Sequence, residues 1–349
     1  MNVTLYPIYL LAGAADDEQF NLNSLPFDVA EGVRIEDVSG PFSRGVFDDF
    51  RERAGTDTIK DMNSVRYALV HRYPDPTGCP QSERSKETVW MLAACLRLIR
   101  PMRQNVLLMQ GRIRDEDGTL DVNQIDLPAS RMVEVPDIQK LFKLRNRDAG
   151  DLRTYAPEFL RGMRGEFWKF RMAVQFHELG HFQSLDWKAR FLLWCSAIES
   201  VYTSHNWEHQ GSLVATSRIK WFVGENTSIY GPGDISSLLQ DPHITVGQIV
   251  EGLYELRNYV AHGDRIPGPY FTETPRRGVS GAVNRCEVLI EAASFIIRAS
   301  LLKILRERLL DYFADAGPAE AYFTGQGLTR HVLRAAQRAA VARGDDSDV

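Results

Sequence analysis

The sequence has little cysteine, no uninterrupted long apolar run and no strong excess of either charge. Only four cysteines occur in 349 residues, Cys79, Cys95, Cys195 and Cys286, far apart and without a CxxC pair. No disulfide framework or cysteine zinc site can be read from that spacing, and a reducing, cytoplasmic setting is the expectation. Cys95 and Cys195 fall inside apolar helical patterns, where cysteine behaves as a small buried hydrophobe. The best apolar run for a membrane span, 287–313, is interrupted by Glu291, Arg298, Lys303 and Arg306. A buried helix is expected there, and no membrane partner. The opening stretch MNVTLYPIYLLAGAADDEQF has no Lys or Arg ahead of its apolar part, which argues against a signal peptide. With 41 Lys and Arg against 46 Asp and Glu, the formal net charge is −5. Bulk charge therefore cannot hold nucleic acid, although a local basic track can. GxSxG, Walker and dinucleotide motifs are missing, and there is no internal repeat.

What is there divides into two textures. The length favours two domains, and 44% apolar with 25% charged residues is an ordinary globular composition. Residues 1–135 carry strand-like runs, VTLYPIYLL, FDVAEGVRIEDV, VRYALVHRY and NVLLMQGRIR, punctuated by Pro and Gly. One helix, 87–100, interrupts them and stops at Pro101. The expected class is α+β: an N-terminal mixed domain over 1–135, suited to sensing or regulation, then a mostly α helical bundle. A basic linker, 136–155, separates them. Nine Lys and Arg against four acids occupy 140–171, enough to guide a phosphate backbone or simply to solvate a junction.

The bundle is expected over 156–315. Met163, Phe167, Phe170 and Val174 share a helical stripe. Asp186 can cap a helix whose stripe is Trp187, Phe191, Trp194, Ile198 and Val201. A third helix runs from about 211 to 223. A fourth starts at Thr245, with Gln248 completing a capping box, and stops at Gly263. A long helix over about 284–314 follows, then a C-terminal helix and acidic tail, 316–349.

The chemistry concentrates in LYELRNYVAHGDRIP, 253–267. Arg257 lies on the flank of the stripe Val246, Ile249, Leu253, Leu256 and Val260, where a guanidinium is costly without an anionic partner. Glu199 and Glu255 are the acids to hand. Asn258, a poor helix former, follows, and His262 closes the helix. Five residues correspond to about 140° of rotation on an ideal helix. Arg257 and His262 converge only if the last turn unwinds, or if a second copy faces the first across a two-fold axis. Leu253, Leu256 and Val260 could supply the core of such an interface. Together the pair suits RNA cleavage by its own 2′-hydroxyl: His262 moves protons near neutral pH, and Arg257 holds the charge growing on phosphorus. No metal or other cofactor is needed. The bland alternative is an Arg257 ion pair and a His262 that merely caps the helix.

RNYVAHG resembles the Arg–polar–x–x–x–His signature of the HEPN superfamily, a helical-bundle group rich in ribonucleases. DWKARFLLWCSAIESVY, 186–202, resembles the first core helix of its Apea-like branch, with Ile198-Glu199 near its end. LPFDVAEGVRIEDV and YALVHRYP resemble a companion domain found ahead of such modules. The resemblance implies a homodimer with a composite cleft, Arg257 and His262 catalytic, and Asn258 and Glu199 in support. It also implies a bacterial toxin or phage-defence setting, with an antitoxin or activator as partner. Some members are inactive binding or sensing modules, which is the first alternative.

A competing motif is His177-Glu178-Leu179-Gly180-His181, a formal HExxH. On a helix its histidines would share a face and could bind zinc, with Glu178 as general base, as in a metallopeptidase. Two features count against it. The nearest third ligand, Glu199, falls in the next core helix, and Gly180 weakens the helix.

Overall fold

The structure is a computed structural model; it describes residues 2–8, 25–38, 67–74, 80–99, 108–113, 120–126, 146–181, 185–203, 211–229, 244–275 and 282–328. The chain forms two compact units, one built from 1–163 with 181–184 and the other from 164–180 with 185–349. The fold is of the mixed α+β kind, with an antiparallel sheet in the first unit and mostly helices in the second.

The sheet of the first unit has the order β2-β3-β4-β1-β5-β6, from β1 (Asn2–Ile8), β2 (Phe27–Ala30), β3 (Val33–Asp37), β4 (Tyr67–Tyr73), β5 (Leu108–Ile113) and β6 (Leu120–Asp126), antiparallel throughout. Helix α1 (Pro80–Ile99) packs on β1 and β4. It begins seven residues before the expected start at 87. The reason is chemical: the first two turns present serines to a polar row of the sheet. Thr4 pairs in register with His71 on one side and Gln110 on the other. Ser85 donates to Thr4 (2.7 Å) and bonds His71 Nδ1 (2.9 Å), while Gln110 and Ser82 bond each other. Further along, Val89, Leu92 and Leu96 supply the apolar contact. Strand β6, LDVNQID, did not stand out in the sequence, although Leu120, Val122 and Ile125 have nearly strand-like spacing.

The segment expected as a linker is helical from Asn146 onward, in α2 (Asn146–Arg164); 136–145 lie outside the described residues. Its charges are used locally. Arg153 stacks 3.8 Å from the Phe27 ring centroid and donates to the Asp28 carbonyl (2.7 Å). Arg161 pairs with Glu158 at 2.8 Å.

The second unit comprises α3 (Trp168–Leu179), α4 (Trp187–Tyr202), α5 (Gly211–Ile219), α6 (Val246–His262), α7 (Arg285–Arg306) and α8 (Ala316–Gly325), with a short hairpin of β7 (Glu273–Pro275) and β8 (Ala282–Asn284). The helical stripe read across 156–182 is two helices: the chain breaks at 165–167, and the Trp168 amide donates to the Ala314 carbonyl (2.6 Å). Helix α5 widens into a π turn at Lys220–Gly224. Helix α7 is apolar nearly all round and packs against α3, α4 and α6. Among the described residues no helix is long and apolar enough to cross a membrane. Cys95, Cys195 and Cys286 are free and buried; Cys79 lies outside the described residues.

Candidate functional site

The site is built by two helices whose ends are fixed by their own sequence. Asp186 accepts from the amides of Lys188 (2.7 Å) and Ala189 (3.0 Å), which starts α4 where the sequence places it. Buried Trp194, Ile198 and Val201 anchor its inner face, leaving Glu199 half-exposed beside them. Two cations hold its far end. Lys169 Nζ donates to the carbonyls of Ser200 (2.7 Å) and Thr203 (2.5 Å), and Arg218 to that of Tyr202 (2.9 Å). Both complement the negative end of the helix dipole. Desolvation lowers the Lys169 ammonium to about 8, with Arg218 adding to the effect. So a residue counted in the basic track is a buried cap.

Helix α6 starts with the capping box of Thr245 and Gln248; Gln248 Oε1 accepts from the Thr245 amide at 2.9 Å. It stays α-helical through His262. Gly263 takes φ 72°, and the Asp264 amide reaches back to the Tyr259 carbonyl (2.9 Å), as in a Schellman stop. The left-handed turn suits glycine because no Cβ crowds the following carbonyl.

Arg257 extends the buried line of Val246, Val250 and Leu253 toward the end of the bundle and meets α4 there. Its NH2 nitrogen lies 3.1 and 3.4 Å from the two carboxylate oxygens of Glu199, and NH1 donates weakly to Asn258 Oδ1 at 3.5 Å. The ion-paired side chains are 31% and 28% exposed, wet enough for another anion to compete. Glu199, Arg257 and Asn258 are thus brought together. His262 is not brought to Arg257 and Glu199: it is exposed, on the Asn258 face of the helix, and with no unwinding before Gly263 it points about 140° away from Arg257. Leu253 and Leu256 are fully buried in the protomer's own core, so they cannot supply a dimer interface. The face around His262 consists of exposed Asn258 and Ala261 with half-buried Tyr259 and Val260.

Sequence reasoning did not single out Tyr254 and read Cys195 only as a small buried hydrophobe, which it is; both line the same neighbourhood. Burial, then the nearby Glu199 carboxylate, pushes both the Tyr254 phenol and the Cys195 thiol well above their ordinary ranges. Their position one turn from Arg257 and Glu199 was the available signal.

The HExxH segment does not form a single helical face. Helix α3 ends at Leu179, so His181 stands beyond the last helical residue. His177 is buried, and its carbonyl accepts from Trp194 Nε1 at 3.2 Å. Among the described residues no group of three or more His, Cys, Asp or Glu could hold a metal ion. Comparison with known proteins finds no matching family model, curated protein or solved structure.

Proposed function

We propose that the chain is a metal-independent endoribonuclease of the HEPN kind, acting as a homodimer, with Arg257 and His262 catalytic and Glu199 and Asn258 in support. The observation that carries this is the half-exposed Arg257, held at the mouth of the bundle by Glu199 and Asn258, on the same helix as an exposed His262.

Arg257 carries five N–H donors, and Glu199 engages one terminal nitrogen. Its other donors are therefore available to begin engaging a phosphate oxygen. An imidazole delivered from a second copy would complete the chemistry. It takes the proton from the RNA 2′-hydroxyl, whose oxygen attacks the adjacent phosphorus, or gives one to the departing 5′-oxygen. The divergence of the two side chains on a regular helix is the support for a composite site. The products would be a 2′,3′-cyclic phosphate and a 5′-hydroxyl. End-group analysis tests this directly. RNA with a 2′-O-methyl group at the scissile position should resist, and a 5′-phosphate product would defeat the mechanism. A toxin or phage-defence role, with an antitoxin or activator protein, is the biological setting the resemblance suggests for such an activity.

A further inference from the structure

Tyr254 stands one turn before Arg257 on α6, and Cys195 one turn before Glu199 on α4. Side chains three or four apart are neighbours on a helix, so phenol and thiol form a layer just inside the ion pair. The tyrosine is only 5% exposed, and among the described residues its hydroxyl has no hydrogen-bond partner. A buried hydroxyl without a partner costs stability, and phenylalanine would fill the same space without that cost. Tyr202, nearby in the same core, shows the usual solution: its hydroxyl bonds Ser300 Oγ at 2.5 Å. Burial pushes the Tyr254 phenol well above its ordinary range, so near neutral pH it keeps its proton and can donate.

Glu199 is the group that needs such a donor. Among the described residues its ion-pair partner is Arg257, and it would be left half-buried and charged if the guanidinium turned away. We propose that Tyr254 is a positioning residue of this site: its hydroxyl takes over the Glu199 carboxylate when Arg257 turns to a phosphate oxygen. Arg257 is then released without stranding a charge, and α4 keeps its place against α6. This rests on the assignment of Arg257 as the phosphate-binding group, and the test separates the two.

The test titrates the carboxyl carbon of Glu199 by NMR in protein labelled at glutamate, with Arg257→Met standing for the turned-away arginine. Adding Tyr254→Phe in that background should raise the proton affinity of Glu199 about tenfold, because a hydrogen bond to the charged form is lost. Equal affinities in the two variants overturn the proposal. Tyr254→Phe alone should leave the thermal midpoint unchanged or higher. A lower midpoint would mean that the hydroxyl already has a partner, and would also overturn it. In the cleavage assay Tyr254→Phe should lower kcat about tenfold at unchanged KM; a wild-type kcat in a variant of an active enzyme counts against the proposal. The titration needs no cleavage, so a wild-type protein that cuts no RNA would refute the nuclease assignment while Tyr254 is still decided.

Discussion

Arg257→Ala should separate catalysis from cohesion. The closest approach of Arg257 to Glu199 is 3.1 Å. Coulomb's law at that distance gives about 1.3 kcal/mol in bulk water and about 5 kcal/mol at the effective dielectric of a protein surface. Both side chains are about a third exposed, so screening and the entropy of holding two long side chains bring the net value toward ~1 kcal/mol. Lost packing of the arginine stem adds a similar amount, for a total of about 1–2 kcal/mol. In a domain of this size that is a fall in melting temperature of about 2–8 °C. Against this, loss of a preorganised donor to the reacting phosphate costs roughly a thousandfold in rate, or about 4 kcal/mol of transition-state stabilisation. Urea unfolding and single-turnover cleavage, measured on the same preparation, give the two numbers. A variant that loses more than about 4 kcal/mol of stability would make Arg257 a structural lock. A variant that folds and cleaves within about tenfold of wild type would remove it from the chemistry.

If the cleft is composite, mixing Arg257→Ala chains with His262→Ala chains should restore part of the cleavage, because one of the two clefts can draw an intact pair from different chains; no recovery on mixing would mean that each chain keeps its own pair. Gly180→Ala should be strongly destabilising: an added Cβ would lie 2.3 Å from Trp194 Nε1, in a buried ring that donates to the His177 carbonyl. Overpacking with a disturbed hydrogen bond is worth about 3 kcal/mol, read as a urea midpoint shift, and a midpoint equal to wild type would refute it. Lys169, lowered to about 8 in the fold from an ordinary 10.5, sheds its proton earlier when folded than when unfolded. Its contribution is flat below about 8 and rises with pH up to about 10.5. The stability difference between wild type and Lys169→Met should therefore grow over that window, and a difference independent of pH would contradict the burial argument.

The helix ends were the most readable part of the sequence. Asp186, Thr245 with Gln248, and Gly263 each act through local chemistry, and each sits where the pattern puts it. Glu199 was nameable as the partner of Arg257 because few acids lie on the flanking helix. Elsewhere the apolar pattern misled. The first turns of α1 bury Ser85 in a polar row, and hydrophobic spacing does not register a buried serine. The stripe through Met163, Phe167, Phe170 and Val174 continues in spacing across a break made by a tertiary hydrogen bond to Ala314. Leu253 and Leu256 looked available to a partner, since a stripe shows that a face is buried but not by what. Tyr254 went unnoticed because a tyrosine in an apolar stripe reads as core until its hydroxyl is accounted for.

The most direct test of the nuclease assignment is cleavage of single-stranded RNA by the purified protein in excess EDTA, with His262→Ala and His177→Ala beside it. The prediction is cleavage that survives the chelator, yields 2′,3′-cyclic phosphate ends, is lost in His262→Ala and persists in His177→Ala. Cleavage that stops in EDTA and returns with zinc, or that is lost in His177→Ala and kept in His262→Ala, would contradict it.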